Sequence, residues 1–307
     1  MSFVFLVKSF AGFSFATFIL LIAAVSEFSA QSLNPTSAVS SVSPKAPDAK
    51  RNVRSDSPTS LERRDYAQAV AELQSALALS PQDATLRNNL GVAYSRMGRH
   101  DKALDELSRA IELEPKNSAV YLNLSVAYDR LNRPAEALEA ARRAVELDSQ
   151  GVPAGVQFCQ LNMVVRQYEA AVSCYEKLIS FAPRDVRILT TYGLALLAVK
   201  KSDKALKLLE ETVAFFPEEA YAHNSLGLAL YAKKRYKKAA AAFDRALQIN
   251  SRYDAARFNL AVVLLAHNKK TEALKHYYLM KNLDETYARR LYKLIYRDKV
   301  VFVGGGK

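Results

Sequence analysis

The chain has no tryptophan and only two cysteines among 307 residues, and its ten glycines and ten prolines are few for that length. Two cysteines, Cys159 and Cys174, are too few for a disulfide framework, and they lack the CxxC spacing of a zinc or redox motif. Scarce glycine and proline, with half of the residues hydrophobic, exclude a collagen-like or globally disordered chain. They describe a folded protein rich in helix formers. The four histidines, His100, His223, His267 and His276, form no HExxH motif. There is also no glycine-rich nucleotide loop and no nucleophile elbow. The Gly-Gly-Gly-Lys run ending at Lys307 is not a phosphate loop, because no Ser, Thr or helix follows its lysine. These shortages point away from an enzyme, and neither a cofactor nor a metal is expected.

Positive charge is in excess, and its distribution is uneven. The formal net charge is +12; Met1–Pro183 holds 19 basic and 19 acidic residues, whereas Arg184–Lys307 holds 24 and 12. One cluster is Lys233, Lys234, Arg235, Lys237 and Lys238. Another is Arg289, Arg290, Lys293 and Arg297, set among Tyr287, Tyr292 and Tyr296. Such a surface either solubilises the end of a helical array or meets anionic lipid headgroups, acidic polymers or an acidic protein.

The N-terminus places Lys8 before an apolar run, Phe10 to Val25, and small and polar residues at Ser26–Gln31 follow. This order is that of an export signal. Residues 1–30 are therefore expected to be a signal peptide cut within Ser26–Ala30, or a signal anchor that spans a membrane with residues 4–25. The run is close to the lower limit of about 17 residues for a spanning helix. The expected location is exported, periplasmic or secreted, where nucleic acid is not an expected partner. Residues 31–60 are rich in Ser, Pro, Ala and Thr without apolar periodicity, which predicts a flexible linker.

Beyond residue 60 the sequence repeats with a period of 34. Pro81, Pro115, Pro183 and Pro217 share one register, and Ser149, Ser251 and Glu285 fill its other stops. The eighth place of each unit is small (Gly91, Ser125, Cys159, Gly193, Gly227, Ala261), and the twentieth is alanine from Ala103 to Ala273. Small side chains at a fixed period mark where two helices approach closely. Larger residues, among them Leu90, Tyr192, Leu107, Tyr175, Leu209 and Phe243, supply the volume between hairpins.

Runs such as Asn88, Leu90, Gly91 and Tyr94 followed by Ala103, Leu107, Ala110 and Pro115 resemble the tetratricopeptide repeat (TPR). The resemblance implies an all-α, right-handed superhelical solenoid of antiparallel helix hairpins. It would occupy residues 61–283, with a half unit at 65–83 and full units at 84–117, 118–151, 152–185, 186–219, 220–253 and 254–283. A capping helix would follow at 284–298 with an apolar stripe of Tyr287, Leu291, Leu294 and Ile295, then a tail at 299–307.

The resemblance also implies that first helices line a groove that holds a protein or peptide partner. The sixth places, Asn89, Asn123, Gln157, Thr191, Ser225 and Asn259, are all polar. Carboxamides at repeat spacing can grip the backbone of an extended peptide whatever its sequence. The row resembles, in part, the asparagine ladder of the TPR region of O-GlcNAc transferases, although no catalytic domain is expected here. The cations of a carboxylate clamp are missing, since Leu122, Val126, Val156 and Gln160 occupy the faces that would carry them. Met163, Leu194, Leu197, Tyr221, Leu228, Tyr231, Phe258 and Leu265 make the remaining groove apolar or aromatic. Cys159 and Cys174, 15 residues apart across one hairpin turn, are either a disulfide or two buried thiols.

Overall fold

The structure, a computed structural model, describes residues 60–281 and 284–296. The export segment, the linker up to residue 59, Arg297 and the tail at 299–307 lie outside the described residues. Fourteen helices and no strand are found among those described. Helix α1 (Ser60–Leu79) is followed by hairpins α2/α3 (Ala84–Arg96, His100–Leu113), α4/α5 (Ser118–Arg130, Pro134–Leu147) and α6/α7 (Val152–Val164, Tyr168–Phe181). Then come α8/α9 (Val186–Ala198, Ser202–Phe215), α10/α11 (Ala220–Ala232, Tyr236–Ile249), α12/α13 (Asp254–Ala266, Lys270–Lys281) and α14 (Glu285–Ile295).

Local sequence sets these boundaries. Asp83, Asn117 and Asp185 precede α2, α4 and α8, and each side chain accepts backbone N–H bonds that the first turn cannot satisfy itself. Each first helix of a hairpin is stopped by a residue with positive φ: Gly98, Asn132, Arg166, Lys200, Lys234 and Asn268, 34 residues apart. Gly98 and the asparagines take up this left-handed stop readily; Arg166, Lys200 and Lys234 hold it at a cost of about 1 kcal/mol or more each.

In five of the six hairpins the close contact between the two helices is met in one of three ways. Where the eighth place is Gly91, Gly193 or Gly227, the backbone lies so near Leu107, Leu209 or Phe243 that a methyl group would stand 2.6–2.8 Å from their carbons. At Ser125 the hydroxyl donates to the Ala137 carbonyl across the contact, 2.8 Å away. At Cys159 the sulfur is bonded to Cys174. The alanines of the twentieth place, from Ala103 to Ala273, have no exposed surface at all.

The residues form two compact units, one ending at Pro183 and the other starting at Arg184. Helices α1–α7 belong to the first and α8–α14 to the second. In each unit every helix packs on the next, and the first helices of successive hairpins also touch one another, which the described second helices do not. The first-helix face is therefore the tighter, inner side of each unit.

One boundary differs from the expected ones. Helix α1 starts at Ser60, five residues before Asp65. Helix α14 opens at Glu285, where the carboxylate of Asp284 accepts the N–H groups of Thr286 and Tyr287 at 2.7 and 3.1 Å and so caps the first turn. The buried stripe of α14 is Tyr287, Ala288, Leu291 and Ile295, with Leu294 only half-buried.

Candidate functional site

The inner face of the first unit is polar. Helices α2 and α4 bring Asn88, Asn89 and Asn123 together half-exposed, and Asn123 Nδ2 donates to Asn88 Oδ1 at 2.8 Å. Asn88 Nδ2 stands 3.5 Å from Asn89 Oδ1. Further along α4 lie Asp129 and Arg130. Burial raises the Asp129 carboxyl above its ordinary range, while Arg130 and the Gln157 amide act against that rise. Burial and then Arg130 push His100 below the ordinary imidazole value, with Asp101 opposing them. The face thus offers amide donors and acceptors beside one carboxylate and one guanidinium, a set suited to hydrogen-bonding a polypeptide backbone.

The inner face of the second unit differs. Asn259 Nδ2 donates to Asn224 Oδ1 at 2.8 Å, and both residues are buried. Thr191 spends its hydroxyl on the Arg187 carbonyl of its own helix. Leu194, Leu197, Leu228, Tyr231 and Phe258 are buried, as is Met163 in the first unit. Tyr221 and Leu265 are half-buried, and the Tyr221 ring packs on Tyr253 with centroids 5.0 Å apart.

The six-residue polar row is consequently not an open ladder. Only Asn89 and Asn123 are half-exposed; Gln157, Thr191, Ser225 and Asn259 are buried. Asn259 is fully buried on α12, the helix on which α14 packs, with the rings of Phe258 and Tyr287 5.3 Å apart. The residues missed by reading the sixth place alone are Asn88 and Asn224, which occupy the fifth place of the preceding hairpin. The available signal was an amide followed by another 35 residues later, which occurs for Asn88 with Asn123 and for Asn224 with Asn259.

Cys159 on α6 and Cys174 on α7 are joined, with Cα atoms 5.5 Å apart. The bond ties together the hairpin that departs furthest from the repeat pattern. There Gly155 stands where a large residue is usual, and Asn162 replaces the tyrosine of Tyr94 and Tyr128. The Asn162 amide is satisfied by donating to the Phe158 carbonyl at 2.8 Å.

Of the basic residues, Lys234, Arg235, Lys237 and Lys238 are exposed at the turn between α10 and α11, and half-buried Lys233 pairs with Asp203 at 2.7 Å. Arg289, Arg290 and Lys293 are exposed on α14, with Arg289 paired to Glu285 at 2.7 Å. Among the described residues no group of His, Cys, Asp and Glu is placed to hold a metal, and no helix is long and apolar enough to cross a membrane.

Family models described as tetratricopeptide repeat match residues 84–150, 191–254 and 230–292, and one described as TPR repeat matches 61–98. No relative was found among curated proteins. A tetratricopeptide repeat protein from Parabacteroides merdae superposes with a TM-score of 0.64 at 16% identity, over 76% of this chain and 94% of its own. PilF of Pseudomonas aeruginosa gives 0.56 at 19% identity, over 70% and 96%. YrrB, described as a TPR protein with an unusual peptide-binding site, gives 0.52 at 18% identity, over 60% and 95%. At these identities the likeness is one of fold.

Proposed function

The chain belongs to the tetratricopeptide-repeat family, and from that premise we propose that it is a non-catalytic scaffold whose first unit binds an extended segment of a partner protein. The repeats make it a protein-interaction module; the choice of surface comes from its own residues. The observation that carries this reading is the half-exposed amide group of Asn88, Asn89 and Asn123, tied by the 2.8 Å bond across α2 and α4. That bond leaves the amides oriented before a ligand arrives, so less freedom is lost on binding. Asp129 and Arg130, further along α4, add one charge of each sign, which suits a peptide whose side chains are polar at that point. The peptide-binding site ascribed to YrrB gives the same fold a precedent for such a ligand. The second unit offers little open polar surface on its inner face and is assigned no peptide.

Export is part of the proposal. It rests on the order of residues in Met1–Gln31, and the Cys159–Cys174 bond agrees with it, since such bonds persist in oxidising compartments.

The test is capture of native partners by the full chain and by a variant with Asn88, Asn89 and Asn123→Ala. Because all three are half-exposed, the variant should keep its helical circular dichroism. The proposal expects partners recovered by the parent chain to be lost by the variant; equal recovery would discard this surface as the site.

A further inference from the structure

The turns that join first to second helices line one edge of each unit, and in the second unit that edge is basic along its length. Three turn segments of six residues, 199–204, 233–238 and 267–272, occupy the same place in successive hairpins. They hold Lys200, Lys201 and Lys204, then Lys233, Lys234, Arg235, Lys237 and Lys238, then Lys269 and Lys270: ten cations against two carboxylates, Asp203 and Glu272. All ten except Lys233 are exposed. The contacts between turns show that these segments lie side by side. Lys233 Nζ reaches Asp203 Oδ1 at 2.7 Å, linking the first to the second. The rings of Tyr236 and His267 approach to 6.2 Å, linking the second to the third. Lys270 Nζ lies 5.3 Å from the centre of the Tyr296 ring and so extends the edge to the end of α14.

The fold does not require this charge. The corresponding segments of the first unit, 97–102, 131–136 and 165–170, perform the same turns with four cations, Arg99, Lys102, Arg133 and Arg166, against three acids, Asp101, Glu136 and Glu169. Ten like charges in a row repel one another, and two carboxylates relieve little of that repulsion. An anionic surface outside the protein would offset that repulsion.

We propose that the turn edge of the second unit docks on a membrane surface that carries anionic lipid. The side-chain type favours lipid over an acidic protein. Nine of the ten cations are lysine. Lysine is a mobile, strongly hydrated point charge without the planar fork that pairs with individual carboxylates, and it is depleted where proteins meet proteins. A row of such charges at the tips of stacked turns matches the smeared negative potential of a lipid leaflet, which holds juxtamembrane lysines. Half-buried Tyr236 and Tyr296 stand within the same edge, and tyrosine favours the level of lipid headgroups. This docking involves the second unit alone and is independent of peptide capture by the first.

Flotation of the full chain with vesicles tests it, using phosphatidylcholine alone and phosphatidylcholine mixed with phosphatidylglycerol. Since the apolar run Phe10–Val25 has its own affinity for lipid, the readout is the difference between proteins on the same vesicles. Binding to the anionic vesicles should exceed binding to the neutral ones and fall steeply with salt. Lys201, Lys237 and Lys238→Gln should lower the partition coefficient about fivefold per lysine, on the order of a hundredfold together. A matched variant of the first unit, Arg99, Lys102 and Arg133→Gln, should bind like the parent. Equal binding of all three proteins would overturn the assignment. So would binding to soluble polyglutamate without binding to anionic vesicles, which would give the edge to an acidic polymer or protein.

Discussion

Replacing Gly227 by alanine separates helix propensity from packing, because the two predict opposite signs. In a helix interior alanine is favoured over glycine by about 1 kcal/mol. The new methyl group, however, would stand 2.6, 2.7 and 2.8 Å from Cε1, Cζ and Cδ1 of Phe243. Carbon atoms sit comfortably at about 3.5–4.0 Å, so the ring would have to retreat by about 1 Å. Phe243 has no exposed surface and its ring is rigid, which leaves it no direction of escape. Overpacking of this kind costs about 1–3 kcal/mol, so the expected net result is destabilisation of about 1 kcal/mol. Gly155→Ala is the matched control. Its methyl group would press on one atom at 2.7 Å, Cδ1 of Leu178, the end of a side chain that can rotate away. That variant should be neutral or more stable. Both can be read from urea denaturation followed by circular dichroism, with hydrogen exchange in α10 and α11 to localise the effect, because repeat arrays do not always unfold in one step. Repeating Gly227→Ala on a Phe243→Ala background should remove the penalty, because the ring atoms that the methyl group would meet are then gone. Stabilisation by Gly227→Ala in the otherwise unaltered chain would refute the close-contact reasoning.

Other outcomes follow from the same geometry. Asn224→Ala should destabilise the second unit by about 1–3 kcal/mol, since it leaves the buried Asn259 amide without its acceptor; calorimetry reads this, and an unchanged transition would count against the buried pair. The disulfide should contribute about 3 kcal/mol for its 15-residue separation in the loop-entropy account, so denatured, unreduced protein should titrate no free thiol and reduction should lower the midpoint of the first unit. His276 makes the second unit sensitive to acid. Burial and the Arg257 charge lower its folded-state pKa below the ordinary 6.5, with Glu272 opposing. The unfolded chain therefore takes up the proton first. Stability is unaffected above about pH 6.5 and falls as pH drops through that value towards the lower folded pKa. His276→Gln should flatten this slope in hydrogen exchange at α13, and an unaltered slope would remove the residue from the account.

Much of the array could be read from sequence because its contacts repeat. Alanine at the twentieth place and glycine, serine, cysteine or alanine at the eighth are demanded by a helix contact that recurs every 34 residues, so one hairpin predicts the next. The positive-φ stop was harder to see. Arg166, Lys200 and Lys234 look like solvated charge, and only the backbone reveals that they serve the same turn as Gly98 and Asn132. At Asp284 a local cap sets the boundary, and α14 opens at Glu285 beside it.

The candidate site was less legible. Polarity at the sixth place was plain, but whether an amide faces a ligand or a neighbour depends on the hairpin before it and on what covers it. Asn123 and Asn259 make the same bond to the preceding first helix. One is half-exposed; the other is fully buried. The lysine edge was visible only as the local run Lys233–Lys238, since Lys200, Lys201, Lys204, Lys269 and Lys270 join it through stacking.

The claim that the first-helix face of the first unit holds the partner is tested most directly by site-specific photocrosslinking in the native compartment. A photoreactive residue at Asn89 or Val126, on the inner face, should yield crosslinked partners. One at Glu139 or Arg143, exposed on the second helix α5, should not. Partners captured only from α5, or equally from both faces, would contradict the account.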